Sequence, residues 1–379
     1  MNFETDGNTW ISAEAARGFN VGRVGIIFGA NASGKSNMLK AIHNAFELMF
    51  VNRKDRNESV HSELPFALAS ELPTHMYISF FANGIRFDYK ISYYLSHIIK
   101  EELYYYPNRT KSLFYEREFV SSDQQCHIKF GSSLGIKAST LRVFRENTLN
   151  NHSVLSTYGK VALNDDAGKI ADLYNWIKNH VHGIKDNPTG LVSILSEVSK
   201  DSKKKRFFLE MLKKADFNIS NFEVISDRND SHTEFINTSD DGGFMLPEST
   251  QSLGTIKFLT DLRYLYESIT GNHIYLLDEL GEDLHYDLLL YYIQVFLANS
   301  DKSQLFFTTQ EMTLLSEELF DENRETVWFV EKSPATASSE YTRADKLGLH
   351  RHNSLYNAYR IGRFGAKPML GSPFILNND

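Results

Sequence analysis

The sequence predicts an α/β fold of the phosphate-loop type, with a sheet built from both ends of the chain and interrupted by an inserted subdomain of helices and strands. Three observations carry this. Val24 to Phe28 is a short apolar run that stops at Gly29, the pattern of a strand buried on both faces. Met38, Leu39, Ile42, Phe46 and Met49 follow at spacings of three and four, the pattern of one helix face. Beyond Ser252 strand and helix signals alternate again, whereas the region between is first β-rich and then helical.

Composition narrows the class. The 379 residues are 42% hydrophobic, enough to fill a core and to exclude a disordered chain. A net charge of -8 excludes a surface that binds polyanions over its whole extent. The single Cys126 excludes an intrachain disulfide, a CxxC pair and a cysteine zinc site, which suits a reducing cytosol. Residues 1–20 are too polar for a signal peptide, and no apolar run reaches membrane-spanning length, so we expect a cytoplasmic protein with no membrane partner.

In chain order, residues 76–81 and 85–95 read as strands of a hairpin joined at Asn83-Gly84, the strongest short turn signal. Residues 171–182 and 191–214 read as helices, the second carrying the basic run Lys203, Lys204, Lys205 and Arg206. Asp, Asn, Ser, Thr and Gly gather over 226–243 as a loop or hairpin. A helix is expected from about 252 to 266, a strand at 274–277, a helix at 284–297, a strand at 304–308 and another at 327–330. These readings divide the chain into an N-terminal part of the α/β domain, 1–130, an inserted and mainly helical arm, 131–220, and a C-terminal part of the α/β domain, 221–379.

Gly29-Ala30-Asn31-Ala32-Ser33-Gly34-Lys35-Ser36 fits G-x-x-x-x-G-K-[ST] between the expected strand and helix. Glycines let the backbone curl until its N–H groups face a phosphate, and the helix start adds partial positive charge. Lys35 is expected on the β- and γ-phosphates and the Ser36 hydroxyl on Mg²⁺. The strand at 274–277 ends in Asp278 and Glu279, placed to hold Mg²⁺ and to deprotonate an attacking water. Of the weaker signals, Tyr104, Tyr105 and Tyr106 fit β-sheet packing better than base stacking, and His285 fits a helix start better than a metal site.

The chain resembles the ATP-binding-cassette-like ATPases related to RecF, SMC and OLD proteins, and within them the bacterial abortive-infection ATPases of the RloA type. The resemblance rests on Phe28 through Asn37, on Ile99-Lys100-Glu101-Glu102-Leu103-Tyr104 with Leu113-Phe114-Tyr115-Glu116-Arg117, and on Leu277-Asp278-Glu279-Leu280 with Leu284-His285. It continues through Gln304 to Thr309 and the tail from Tyr359 to Pro368. It implies an ATPase head whose nucleotide contacts include Gly29, Asn31, Ala32, Ser33, Gly34, Lys35, Ser36 and Asn37. A homodimer or larger assembly is implied, in which Ser252 and Gly254 of one head face the phosphate held by another. A partner effector, a nuclease or toxin encoded next door as in PARIS-type systems, completes what it implies, with antiviral defence as the setting.

Two departures shape the expectation. The run Glu248-Ser249-Thr250-Gln251-Ser252-Leu253-Gly254-Thr255 differs from the usual Glu-Ser-x-Gly-Thr, which leaves open which serine faces phosphate. Gln310 stands where relatives carry histidine, and glutamine takes up no proton near neutral pH, so slow turnover is expected. The alternatives are a DNA-maintenance ATPase, with DNA met by the basic run, and a scaffold that binds ATP without hydrolysing it.

Overall fold

The computed structural model describes residues 1–5, 12–16, 19–120, 125–163, 167–183, 190–226, 231–239, 242–350 and 352–367. Pro368 of the tail and parts of the 226–243 stretch lie outside the described residues. Internal contacts divide the chain into one unit of Met1–Ala13, Val21–Leu39 and Gly183–Asp379 and a second of Glu14–Asn20 and Lys40–His182.

The first unit is organised by an α/β sheet. Five of its consecutive strands run in the order Ser339–Arg343, Val327–Lys332, Val24–Gly29, Gln304–Thr308 and Ile274–Leu277. The last four are parallel, and Ser339–Arg343 closes that side as the antiparallel arm of a hairpin. Ile26, Phe28, Leu276, Phe307, Val327 and Val330 are each at most 2% exposed, which is why these strands carry no polar alternation. The helix Leu253–Thr270 buries Phe258, Leu259, Leu262 and Leu265, and Tyr286–Asn299 buries Leu289, Tyr292, Ile293 and Phe296, all in one core with the strands. Arg23, at the start of the phosphate-loop strand, donates to the carbonyls of Leu297 and Ser300 and so satisfies the C-terminus of the second helix.

The expected segments and the observed units differ. The helices Leu191–Lys200 and Ser202–Lys214 belong to the first unit because Ile194, Leu195, Val198, Phe208 and Leu212 join the core that holds Phe258 and Leu262. The stretch read as one helix breaks at Asp201, whose carboxylate accepts from the N–H groups of Lys203 and Lys204 as an N-cap. Lys204 is 6% exposed and pairs with Glu197 at 2.7 Å and Glu267 at 3.3 Å, while Lys205 donates to the Phe222 carbonyl. Half of the basic run is therefore spent on packing. The described residues of the 226–243 stretch lie in a three-stranded antiparallel sheet, Ile219–Ser226, Ser231–Ser239 and Gly242–Pro247. In the tail, Tyr359 stacks on Phe329 and Phe364 packs tilted against it, at 5.2 and 4.8 Å between ring centres.

The second unit is a five-stranded antiparallel meander from Thr74–Ala82 to Gln125–Phe130, packed with the helices Ala138–Asn147 and Lys169–His180. Asn83 and Gly84 both have positive φ, at 51° and 73°, as the two-residue turn joining Thr74–Ala82 to Ile85–Tyr93 requires. Its core holds a buried ion pair, Glu101 with Arg117 at 3.8 Å, both fully enclosed. Glu101 also accepts from Tyr89 and Tyr115 hydroxyls and the Val154 N–H, and Arg117 donates to the carbonyls of Leu149, Asn150 and His152. Each charge thus has several hydrogen-bond partners, as burial demands, and together they fasten the loop 149–154 to the sheet. Tyr105 is 1% exposed, in line with sheet packing.

Asp261, on the helix Leu253–Thr270, is the costly residue of the first unit. It is 2% exposed, its Oδ1 lies 3.4 Å from Lys257, and its Oδ2 has no hydrogen-bond partner. Burial pushes its carboxyl up to about 6, against the pull of Lys257. A carboxyl raised in the folded state stabilises when protonated and loses that contribution as pH rises through the folded value. Above pH 6 the folded chain carries a penalty on the order of 3 kcal/mol, because each tenfold change in proton affinity is worth about 1.4 kcal/mol. Asp261→Asn should therefore raise the denaturant midpoint at pH 7.5, with the gain shrinking as pH falls from 6 toward 4. An equal midpoint at pH 7.5 would remove Asp261 as a source of strain.

Candidate functional site

The phosphate loop runs from the end of Val24–Gly29 into the helix Lys35–Phe50. Its φ turns positive twice, at 61° for Ala32 and 110° for Gly34, a backbone form that makes a concave run of N–H groups suited to an anion. The helix has no acidic residue in its first turn, so its unpaired N–H groups remain open to an external anion. Asn31, Ala32 and Asn37 are exposed, Ser36 is half-buried, and Ser33 is buried with no partner for its hydroxyl. Lys35 is 7% exposed and lies back over the loop, donating to the carbonyls of Gly29 at 3.0 Å and Ala30 at 3.2 Å. Burial lowers the affinity of its amine for a proton, and the carboxylates of Glu279 and Asp278 oppose that shift. Those two carboxylates therefore belong to the same electrostatic neighbourhood as the lysine.

The sheet register explains why. Leu277 pairs with Phe307, and Thr308 pairs with Ile27, so the strand carrying the acids ends beside the strand carrying the loop with one strand between. Thr308, fully buried at the end of that middle strand, joins them: its hydroxyl donates to Asp278 Oδ1 at 2.5 Å and accepts from the Glu279 N–H at 2.8 Å. Glu279 holds a φ of 53°, unusual for a residue with a side chain, and the Leu280 N–H returns to the Thr308 carbonyl at 3.0 Å. The amide of Gln310 donates to Glu279 Oε1 at 3.3 Å. The negative charge of Glu279 also raises the carboxyl of exposed Glu282.

Ser252 and Gly254 have a local explanation. Ser252 is exposed and caps the helix Leu253–Thr270, accepting from the Thr255 N–H at 3.1 Å. Ser249 lies in the preceding short turn, Glu248–Thr250. A Cβ on Gly254 would sit 2.7 Å from the Asp283 carbonyl, so only glycine lets the helix start approach the loop after the carboxylates. His285 caps the helix Tyr286–Asn299, as expected. Thr308 lies in the apolar run 304–308, where the sequence alone assigns it no role. Ser339 and Tyr341, described below, give no local signal beyond two hydroxyls at alternate positions of a strand.

A family profile described as "AAA domain, putative AbiEii toxin, Type IV TA system" matches residues 26–316, more than half of the chain. The chain belongs to this family. It is an AAA-type ATPase domain by family, with the mixed α/β phosphate-loop fold the sequence predicts. No curated protein matches it. Among solved structures, a crystal structure of the SMC head bound to the C-winged helix domain of ScpA is similar at 14% identity and a TM-score of 0.40, covering 86% of this chain and 94% of that one. The SMC head domain from Thermotoga maritima is similar at 15% identity and a TM-score of 0.34, covering 86% and 92%. An SMC head with an extended coiled coil, bound to the C-terminal domain of ScpA derived from Pyrococcus furiosus, is similar at 12% identity and a TM-score of 0.38, covering 91% and 94%. Among the described residues no helix is long and apolar enough to cross a membrane.

The Thr308 hydroxyl makes a testable contribution. Thr308→Val keeps the shape but strips the half-buried Glu279 N–H of its acceptor and Asp278 of its donor, so a loss of about 1–3 kcal/mol in denaturant unfolding is expected. A loss below about 0.5 kcal/mol would show that neither bond matters to the fold.

Proposed function

We propose that the chain binds and slowly hydrolyses ATP as an ABC-type head, pairs with further copies of itself, and controls a partner effector in bacterial anti-phage defence, in the manner of RloA- and PARIS-type ATPases. The observation that supports this reading best is the shared neighbourhood of Lys35, Asp278 and Glu279 at the mouth of an anion-binding loop. Gly29, Asn31, Ala32, Ser33, Gly34, Lys35, Ser36 and Asn37 would hold the nucleotide.

Ser36 and Asp278 offer a hydroxyl and a carboxylate, the hard oxygen donors that Mg²⁺ takes. That ion, when bound, neutralises charge on the phosphates. Thr308 fixes the Asp278 carboxylate, and Lys35 brings positive charge to the γ-phosphate. Glu279 accepts the proton of the attacking water. Ser252 and Gly254 of a second copy would complete the site from the far side.

Slow turnover has its own support. Gln310 occupies one oxygen of Glu279, and an amide cannot pass a proton onward. The chain would dwell in its ATP-bound form, and the ATP-dependent change of state would be what the effector reads. The effector, a nuclease or toxin from a neighbouring gene, and the cytoplasmic setting stand as proposals with it. The inward turn of Lys204 and Lys205 gives the DNA-maintenance reading less basic surface to use.

Native protein should turn over ATP more slowly than the roughly 10 s⁻¹ usual for enzymes. Glu279→Gln should cut that rate at least about a hundredfold while ATP is still bound, measured by phosphate release and by filter binding. Equal rates for the two proteins would remove Glu279 as the base. Fast native hydrolysis left unchanged by Gln310→Ala would remove the slow-dwelling account.

A further inference from the structure

The hairpin on the far side of the loop carries the inference. Val327–Lys332 lies parallel to the phosphate-loop strand with Val330 opposite Gly29, and Ser339–Arg343 lies antiparallel beyond it with Tyr341 opposite Val330. Gly29, Val330 and Tyr341 thus form one row across the sheet, at the level where the strand becomes the loop. Alternate residues of a strand share a face, so Ser339 and Tyr341 present their hydroxyls together. Ser339 donates to the carbonyl of Ser33 at 2.6 Å, and Tyr341 donates to the carbonyl of Gly34 at 2.7 Å.

Two successive carbonyls are therefore held toward the hairpin. In a planar trans peptide the N–H points opposite the carbonyl of the preceding residue. Holding the Ser33 and Gly34 carbonyls on one side fixes the N–H groups of Gly34 and Lys35 on the other, the side on which an anion would lie. Gly34 is required twice over. Its φ of 110° disfavours a side chain, and a Cβ there would sit 2.3 Å from Ser339 Oγ. Burial pushes the Tyr341 hydroxyl above its usual value, so it stays a donor throughout the physiological range.

We infer that Ser339 and Tyr341 are positioning residues for triphosphate binding: they touch no phosphate but preset the orientation of the two backbone N–H groups that do. The inference rests on the proposed nucleotide site and deepens it. The Gly34 carbonyl also accepts from the Met38 N–H at 3.3 Å. Without the hydroxyls that peptide is held more loosely and the Ser33–Gly34 peptide loses its side-chain anchor, and part of the binding energy is then spent on ordering them.

The test is direct titration of the full chain with Mg·ATP, well below its melting temperature. Tyr341→Phe and Ser339→Ala should each weaken binding about fivefold, the worth of one hydrogen bond, and the double variant more than about tenfold. Ser339→Thr, which keeps a hydroxyl, should restore most of the loss. A purely structural role would shift the melting midpoint and leave affinity unmoved, and that result overturns the inference. Lys35→Ala is the reference. If it abolishes binding while the hairpin variants bind like native protein, the site stands and the positioning role falls. If native protein itself takes up no Mg·ATP, the nucleotide reading falls.

Discussion

The first turn of the helix Lys35–Phe50 leaves backbone N–H groups with no partner inside the helix, and the preceding loop turns its own N–H groups the same way. A concave set of unsatisfied donors is stable on a protein only if solvent or an anion meets it. That constraint organises the unit around it. The parallel register sets the loop beside Val330 on one flank and the Thr308 strand end on the other, and the acids follow one strand further out. Positive and negative functional groups thus gather at the carboxyl edge of the sheet, where such sheets bind their ligands.

The carboxylate side is held by different physics. Glu279 adopts a left-handed backbone, and the cost is offset by its N–H bond to Thr308 and by the Leu280 bond to the same residue's carbonyl. Fixing the backbone there aims the two acids separately, one toward the hydroxyl of Thr308 and the other toward Gln310. Gly254 adds a second link, because the helix start it belongs to rests on the Asp283 carbonyl, in the loop that follows Glu279. The buried Glu101 and Arg117 show the same logic in the second unit, where each charge is surrounded by donors and acceptors that tie down a neighbouring loop.

Much of this is legible in the sequence because it follows local rules. The apolar runs at 24–28, 274–277 and 304–308 predict strands whose ends agree with the structure within a residue, since burial on both faces keeps their middles apolar and leaves polar residues such as Gln304 and Thr308 to the ends. Asn83-Gly84 marks its turn because few residue pairs tolerate two positive φ values. The helix break at Asp201 is legible in principle from an acid before Ser202, but the surrounding helical pattern masks it. The membership of Leu191–Lys214 in the first unit is not legible, because periodicity shows which face is buried and not against what. Thr308, Ser339 and Tyr341 act through register, which is a property of several strands at once.

The central claim is that a triphosphate lies against the backbone between Gly29 and Ser36. A crystal structure of the chain grown with Mg²⁺ and a non-hydrolysable ATP analogue tests it most directly. The account predicts the β-phosphate against the N–H groups of Gly34 and Lys35, with the metal between Ser36 and Asp278. Electron density for the nucleotide at any other place on the chain, with the loop left bare, would contradict it.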